Sequence, residues 1–382
     1  MASNYKKLGE FLRLTDERNS DLSITNLQGV SISKQFIPSI ANIIGTDLSS
    51  YKIVRKGQFA YGPVTSRNGD KVSIALLESD DCIISSSYLS FEVVDKTKLD
   101  PEYLMLWFMR PEFDRYARFM SNGSAREIFD WECMCGVELP VPSIEEQRKI
   151  VHDYKVIADR IELLKKINVN LEKQAQVLYK SWFVDFDPFG NNLPSNWSEV
   201  CISDIASDVV CGKTPSTDDE SNFGGKYPFI TIPDMHDSVY ATKTERTLSD
   251  KGISKLLPEN SVCVSCIATV GLVSLVATPS QTNQQINSII CKKDVSSFYV
   301  YLKMRTLRSE LEALGAGGSA TLNVSKSLFS QIKMLYPDVE TCNKFDNIVK
   351  PIFDSIRNNQ LEIERLIDFK EALNNSMIKE VA

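Results

Sequence analysis

The stretch that decides the fold is SIEEQRKIVHDYKVIADRIELLKKINVNLEKQAQVLYKSWF, residues 143–183. Its apolar side chains recur in alternating steps of four and three residues, the pattern of a helix that packs along another helix. Pro142, Ser143 and Glu146 match the signature of a capped helix start. The pattern therefore predicts one helix of about forty residues, against the usual ~11–12, and its apolar rows require a partner. The two rows are Tyr154, Ile161, Asn168, Ala175, Trp182 and Ile150, Ile157, Leu164, Leu171, Leu178.

A second copy of this pattern occupies residues 338–382, displaced by 195 positions from the first. The same displacement aligns identical residues upstream of the helices, such as Met109 with Met304 and Pro142 with Pro337. The sequence therefore predicts an internal duplication, in which a variable domain is followed each time by a long helix. The rows of the second helix are Val349, Ile356, Ile363, Lys370, Met377 and Phe345, Ile352, Asn359, Leu366, Leu373.

The two helices are predicted to pair antiparallel, in a register where paired residue numbers sum to 527. In that register Asn168 faces Asn359. A buried polar pair lowers stability but penalises slipped registers. The alternative is that each asparagine meets solvent where the helices splay apart. The apolar partners in the same register are Ile150 with Met377, Ile161 with Leu366, and Trp182 with Phe345.

The resulting division has four parts: a variable domain in residues 1–142, a spacer helix in 143–185, a second variable domain in 186–337, and a second spacer helix in 338–382. The fold class is α+β, with short alternating strands and turn signals such as Asn68–Gly69 predicting mainly antiparallel sheets. Helices are expected in the variable domains at 5–14, 101–120, 202–209 and 298–314.

The net charge of −7 argues against a simple basic DNA-binding protein, so a nucleic-acid face has to be local. One stretch qualifies, residues 52–71, where five cationic residues are opposed in sequence only by Asp70, and Tyr51, Phe59 and Tyr61 are interleaved with them. The alternative is an ordinary solvated strand surface with no binding role. The five are Lys52, Arg55, Lys56, Arg67 and Lys71.

Motifs for catalysis or metal binding are weak. Cys263 and Cys266 form a single CxxC within an apolar, strand-like run, and the chain has two histidines. Gly212-Lys-Thr resembles the end of a phosphate-binding loop, but Ser207 stands where that loop requires glycine. Asp187-Pro-Phe189 lacks the second proline of the Asp/Asn-Pro-Pro-aromatic tetrapeptide of methyltransferases that act on amino groups. The sequence predicts neither an enzyme nor a metal site.

The chain is also expected to be cytoplasmic. It has no apolar run of the ~18 residues that a membrane span requires. No signal peptide is predicted at its start, and nine cysteines without disulfide-like spacing indicate a reducing compartment.

Several motifs together resemble one family, the DNA-specificity subunits of type I restriction–modification systems. They are LPVPSIEEQRKI (139–150), LYKSWFVDF (178–186), Leu193-Pro194 with Trp197, GKTPS (212–216), Gly224-Gly225, YKIVRKGQFAY (51–61) and TSRNGD (65–70). The chain departs from the family pattern in three ways. The first domain lacks the Leu-Pro-x-x-Trp opening, the second helix has DVETC (338–342) in place of a Glu-Gln pair, and the net charge is acidic.

This resemblance implies two target-recognition domains, each reading part of a split site in double-stranded DNA. It implies an antiparallel helix pair that sets the spacing and docks methyltransferase (modification) subunits, which methylate adenine with S-adenosylmethionine. Motor-nuclease (restriction) subunits, which use ATP and Mg²⁺, complete the complex. The chain itself is then expected to be non-catalytic, without a bound cofactor and without a membrane role. At ~1.5 Å per residue, residues 150–182 span about 50 Å, on the order of one to one and a half DNA turns of ~34–36 Å.

Candidate DNA contacts follow from side-chain chemistry, because Lys and Arg bind phosphates while Arg, Asn, Gln, Ser and Thr read base edges. In the first domain they are Arg55, Lys56, Arg67, Asn68 and Lys71. In the second domain they are Lys213, Thr214, Ser216, Gln281, Asn283 and Gln284. The repeated Gly123-Ser124 and Gly318-Ser319 are expected to serve the shared scaffold.

Two other interpretations remain open at this point. The chain is a coiled-coil scaffold or adaptor without direct DNA readout, or it is an orphan or silent copy that binds DNA without restriction.

Overall fold

The computed structural model describes residues 5–39, 46–66, 68–69, 71–121, 127–236, 238–316 and 321–376. The chain forms two compact units. One comprises Met1–Asp159 with Asp368–Ala382, and the other Arg160–Ile367. Because the unit boundaries fall within the two long helices, each unit combines one sheet domain with a piece of each helix.

The first variable domain is built from short strands and three helices. Its elements are β1 (Tyr5–Lys7), β2 (Leu12–Thr15), β3 (Gln28–Val30), β4 (Phe36–Pro38), β5 (Lys52–Val54), β6 (Phe59–Tyr61), β7 (Ile74–Leu76), β8 (Cys82–Ile84), β9 (Leu89–Val93), α1 (Pro101–Phe108), α2 (Pro111–Ser121), α3 (Trp131–Cys135) and β10 (Glu138–Pro140). The main sheet has the order β2-β9-β6-β7, and its strand pairs are antiparallel as predicted. Its core is aromatic, with Phe59 and Phe91 stacked at 4.9 Å and Phe108 edge-on to both.

The second variable domain follows the long helix α4 (Ile144–Phe183) and ends at α9 (Val339–Ser376). Between them lie β11 (Ser198–Cys201), α5 (Ile202–Ile205), β12 (Ala206–Cys211), β13 (Phe223–Ile230), β14 (Tyr240–Ala241), β15 (Arg246–Leu248), β16 (Val262–Ser265), β17 (Val273–Val276), β18 (Gln281–Thr282), β19 (Ile286–Cys291), α6 (Ser297–Thr306), α7 (Arg308–Gly315), α8 (Lys326–Ser330) and β20 (Lys333–Tyr336). The sheets have the orders β12-β19-β16-β17-β14 and β15-β13-β18. Two pairs, β14 with β17 and β13 with β18, are parallel.

The duplication is visible at the ends of both domains. In each, the first strand pairs antiparallel with the strand that leads into the long helix: β1 with β10, and β11 with β20. Each domain is therefore closed at its base by its own two ends.

Four helix predictions within the variable domains were wrong or incomplete. Residues 5–14 form β1, a 3-10 turn and β2, because pairing with β10 and β9 satisfies their backbone groups. Residues 202–209 form one helical turn, and the chain then pairs as β12 with β19. The 101–120 helix is two helices, since Pro111 has no N–H to continue the hydrogen-bond ladder. The 298–314 helix is likewise divided, at the buried Leu307.

The predicted long helix is confirmed. Ser143 caps α4, and its Oγ accepts the Glu146 N–H at 3.2 Å. Helix α9 continues through Pro351, which sequence rules would place at a helix end. The turns on either side of Pro351 bury Val349, Phe353 and Ile356, and this packing holds the helix together.

Within the second unit, α4 and α9 meet in the expected register. Asn359 Nδ2 donates to Asn168 Oδ1 at 2.8 Å, and Asn168 Nδ2 lies 3.4 Å from the Ile356 carbonyl oxygen. The rings of Trp182 and Phe345 lie 5.7 Å apart, as the 527 sum requires. The expected contact of Ile150 with Met377 lies outside the described residues.

Gln147 ties the start of α4 to the first domain. Its side chain is fully buried, and Oε1 accepts the Asp100 N–H at 2.8 Å. Its Nε2 lies 2.9 Å from the carbonyl oxygens of Lys98 and Pro142. The glutamine of the Glu-Glu-Gln motif is therefore a structural fastener. The equivalent position in the second copy is Cys342, which is also buried.

We predict that Gln147→Ala lowers the free energy of unfolding by about 2–3 kcal/mol, because it leaves buried backbone groups without partners. Urea-induced unfolding of the full chain measures this loss. Gln174→Ala, on an exposed position of the same helix, is the matched control and should leave the midpoint unchanged. Equal midpoints for the two variants would contradict the fastener role.

The asparagine pair generates a second prediction. Asn168→Ala should cost about 1–3 kcal/mol, because the Asn359 amide stays in the apolar row without its partner. The double variant Asn168→Ala/Asn359→Ala should lose less than the two single alanine variants together, which a double-mutant cycle measures. Asn170→Ala, exposed on the same helix, serves as the control. Additive losses would show that the two amides do not depend on each other.

Candidate nucleic-acid interface

The second unit brings together two polar stretches that were predicted separately, residues 212–216 and 281–285. The Lys213 N–H donates to the Thr282 carbonyl at 3.0 Å, and Gln281 Nε2 donates to the Lys213 carbonyl at 2.8 Å. The Thr214 hydroxyl donates to Gln284 Oε1. The two stretches thus form one continuous polar surface beside β18.

Gly212 makes this arrangement possible. A Cβ atom at Gly212 would overlap the carbonyl oxygens of Thr282 and Asn283. The Gly212 N–H also donates to the Ile286 carbonyl at 3.1 Å. The glycine is therefore required for close backbone approach, and it fixes where Lys213 and Thr214 emerge from the domain.

Only part of the predicted set in this unit faces solvent. Lys213, Ser216 and Gln284 are exposed, and Thr214 is half-buried. Gln281 is 2% exposed, and its Oε1 accepts backbone N–H groups of Ser254 at 2.7 Å and Lys255 at 3.1 Å.

Asn283 is also buried, and its side chain bonds to Gln285. The amides of Gln281 and Asn283 are thus occupied within the domain. Their assignment as base readers is therefore corrected: both side chains position the loop.

Carboxylates pair with part of the basic stretch of the first domain. Lys52 is buried, and its Nζ lies 3.1 Å from Asp16. The Arg55 guanidinium pairs with Glu17 and with Asp81 at 2.8 Å, and these carboxylates raise the Arg55 pKa. Carboxylates distant in sequence therefore neutralise Lys52 and Arg55, and the prediction that Asp70 alone opposes the cluster was wrong.

The remaining first-domain candidates are scattered. Lys56 and Lys71 are exposed, and Asn68 lies in a turn in which its N–H donates to the Thr65 carbonyl at 2.9 Å. Phe59 and Tyr61 belong to the core and offer no surface for stacking. Arg67, Gly123-Ser124 and Gly318-Ser319 lie outside the described residues.

A cleft of about 700 Å³ in the first unit was missed by sequence reasoning. We call it the cationic cleft because four cationic side chains and one carboxylate line it, together with an exposed aromatic ring. These residues are Lys34, Lys71, Arg115, Arg118, Asp114 and Phe119. They come from the β3–β4 turn, the segment before β7, and α2. No window of the sequence holds them together, so only a three-dimensional contact prediction would have found them.

A buried ion pair forms the floor of this cleft. Lys34 Nζ lies 2.9 Å from Asp114 Oδ1, which also accepts the Val72 N–H at 3.0 Å. Lys34 also donates to the Phe108 carbonyl and lies over the Phe113 ring at 5.3 Å. Burial lowers the Lys34 pKa, while Asp114 opposes that shift. The pair joins the β3–β4 turn to α2 and gives the cleft a fixed shape.

The second unit has a cleft of comparable size, about 680 Å³, with the opposite charge balance. Four carboxylates line it against two lysines. They are Glu172, Asp234, Glu245 and Glu364, with Lys165 and Lys243. Its charge disfavours a polyanion, so of these two clefts only the cationic one suits DNA.

Other chemistry finds no support in the described part of the chain. Among those residues, no group of His, Cys, Asp and Glu side chains has the arrangement to hold a metal ion. Cys263 is fully buried in β16, and burial raises the pKa of its thiol to about 12. No described helix has the length and apolar character to cross a membrane.

Comparison with known proteins identifies the family. A family model described as "Type I restriction modification DNA specificity domain" matches residues 33–173 and 194–368. The chain belongs to this family. The two matches cover both copies of the duplicated unit, so the predicted family and the predicted duplication are confirmed.

Individual relatives agree. The type I restriction enzyme HindI specificity subunit of Haemophilus influenzae is 31% identical, over 87% of this chain and 88% of the relative. The MjaIX specificity subunit of Methanocaldococcus jannaschii is 27% identical, over 74% of this chain and 69% of the relative. The crystal structure of the type I restriction–modification S subunit from M. genitalium shares the fold, with a TM-score of 0.64, 15% identity, and coverage of 98% and 96%. This specificity-subunit chain therefore carries two DNA-recognition domains.

The loop geometry of this subunit yields a prediction. Gly212→Ala should lower the free energy of unfolding by about 1–3 kcal/mol, because the added methyl group overlaps fixed carbonyl groups. It should also increase proteolytic cleavage within residues 213–222. Chemical denaturation and limited proteolysis measure both effects. Gly29→Ala, whose Cβ would meet only the Tyr88 hydroxyl at 3.7 Å, is the tolerated control. Equal behaviour of the two variants would remove Gly212 as the determinant of loop position.

Proposed function

We propose that this specificity subunit reads a split site in double-stranded DNA, one half with each variable domain, while α4 and α9 set the distance between the halves. The observation that carries this proposal is the pair of family matches on one chain, each combining a variable domain with most of a long helix. The hydrogen-bonded Asn168 and Asn359 support a defined helix register in the second unit.

In this proposal the exposed polar surface of the second unit reads bases and holds phosphates. Lys213 suits phosphate, while Thr214, Ser216 and Gln284 suit base edges. In the first unit, the exposed Lys56 and Lys71 keep that assignment. The half-buried Asn68 keeps it from its chemistry, and Arg67 keeps it from its sequence alone. Arg55 is left out, because two carboxylates already hold its guanidinium.

Catalysis belongs to partner subunits in this proposal. Methyltransferase subunits dock on the helix pair and bring S-adenosylmethionine, and motor-nuclease subunits bring ATP and Mg²⁺. The chain itself contributes recognition and spacing and acts in the cytoplasm. The absence of a complete catalytic motif in the sequence supports this division of labour.

The spacing role has a direct test. Duplicating residues 161–167 in α4 and 360–366 in α9 adds one heptad to each helix and preserves the 527-type pairing. Seven residues add about 10 Å at ~1.5 Å per residue, which corresponds to ~3 base pairs at 3.4 Å each. Sequencing of methylated adenines in cells that express the variant with its methyltransferase partner should therefore show a spacer longer by about three base pairs.

A replacement of residues 161–167 by another heptad of the same pattern is the matched control and should leave the spacer unchanged. An unaltered spacer in the lengthened variant, with methylation retained, would refute the spacing role. Absence of any site-specific methylation with the wild-type chain would refute the proposed function itself.

A further inference from the structure

We propose that the cationic cleft of the first unit binds the sugar–phosphate backbone of the target duplex, with Phe119 providing an apolar contact to the DNA. The cleft then positions the first domain on its half-site without reading its sequence. This inference rests on the proposed DNA-binding function and assigns a surface outside the stretches that the sequence singled out, Lys71 excepted.

Charge is the first argument. The chain carries a net charge of −7, yet the described residues that line this cleft include four cations and one carboxylate, Asp114. Arg115 lies 3.1 Å from Glu112, and Arg118 lies 4.0 Å from Glu127. The Arg115 pair is exposed, so it contributes little to stability and exchanges readily for a phosphate. Arg118 is half-buried and also donates to the Gly69 carbonyl, which holds its guanidinium in place. The local excess of positive charge suits a polyanion.

Phe119 is the second argument. Its side chain is 73% exposed on α2, one helical turn after Arg115 and next to Arg118. An aromatic ring that avoids the core and stands among cations matches DNA-binding surfaces, where apolar side chains pack against sugars or base steps.

The same position in the second copy, displaced by 195, is Leu314, which is 43% exposed. Both residues precede the repeated Gly-Ser dipeptide by a few positions. The duplication has thus kept an exposed apolar residue at one place in each variable domain.

Fixed geometry is the third argument. The Lys34–Asp114 pair and the Val72 N–H bond hold the two sides of the cleft together. Lys34 adopts a left-handed backbone conformation, with φ of 63°, that this packing maintains. A preformed site avoids the free-energy cost of ordering its side chains on binding.

The lining residues favour contact with the backbone over adenine readout. The described residues that line the cleft include neither Asn nor Gln, the side chains that pair with adenine. Lysine and arginine at an open rim give affinity that is independent of sequence and sensitive to salt.

The test measures the salt dependence of binding by the full chain in complex with its methyltransferase subunits. Two duplexes of equal length are used, one containing the site mapped by methylated-adenine sequencing and one of random sequence. The variants are Lys71→Gln/Arg115→Gln and Phe119→Ser. The control is Lys7→Gln/Lys96→Gln, which removes the same charge from exposed positions of the same domain away from the cleft.

For Lys71→Gln/Arg115→Gln, the slope of log K against log salt should fall by about 2, since each phosphate contact contributes ~0.9. This fall should be equal on both duplexes. Phe119→Ser should weaken binding by about tenfold on both, the equivalent of ~1.4 kcal/mol for an aromatic contact, without changing the slope. The control variant should match the wild type.

Two results would overturn the inference. A slope identical to that of the control would remove the cleft from the DNA interface, and a loss confined to the mapped site would make its residues base readers. A wild-type complex that binds neither duplex would instead reject the proposed function, so the two failures are distinguishable.

Discussion

The structure depends on one constraint: a helix of forty residues with an apolar row cannot remain exposed along its length. Helices in proteins gain most of their stability from tertiary packing, and α4 and α9 supply it to each other within the second unit. Apolar rows alone tolerate a shift by one heptad. The hydrogen bond between Asn168 and Asn359 favours one register, since a shift by a heptad separates these two half-buried amides. A single hydrogen bond thus selects the register of the two helices, and the register sets the length that a spacer has to define.

Features with a long period were predictable from sequence. The α4 helix was predicted from 143 and begins at Ile144 behind the Ser143 cap, and the two asparagines meet as the 527 register requires. The apolar pattern repeats over many heptads, so one unfavourable residue, Pro351, does not interrupt α9. Segments of about ten residues were less predictable. Residues 5–14 and 202–209 have helix-like composition, but strand partners far away in sequence decide their conformation.

Prediction of the nucleic-acid interface from sequence was limited in the same way, by partners that are distant in the chain. Sequence placed Lys52 and Arg55 in a basic cluster opposed only by Asp70, because Asp16, Glu17 and Asp81 lie on other segments. It missed the cationic cleft for the converse reason, since Lys34, Lys71 and Arg115 are far apart in the chain and close only after folding. It did select both halves of the polar surface at 212–216 and 281–285. Within that surface it did not separate exposed side chains from the buried fasteners Gln281 and Asn283. Charge counted along a chain is therefore a poor guide to charge on a surface.

The strand pairs β1–β10 and β11–β20 have a consequence for how such chains diversify. The first and last strands of each variable domain pair with each other, so the domain begins and ends at neighbouring points. The chain between these two strands is therefore one segment that leaves and returns at the same place. Genetic exchange within the repeated helix-coding segments would transplant a whole reader and leave its hydrogen-bonded base intact. On the proposed function, recombination between genes would then combine half-sites without a new packing around α4 or α9.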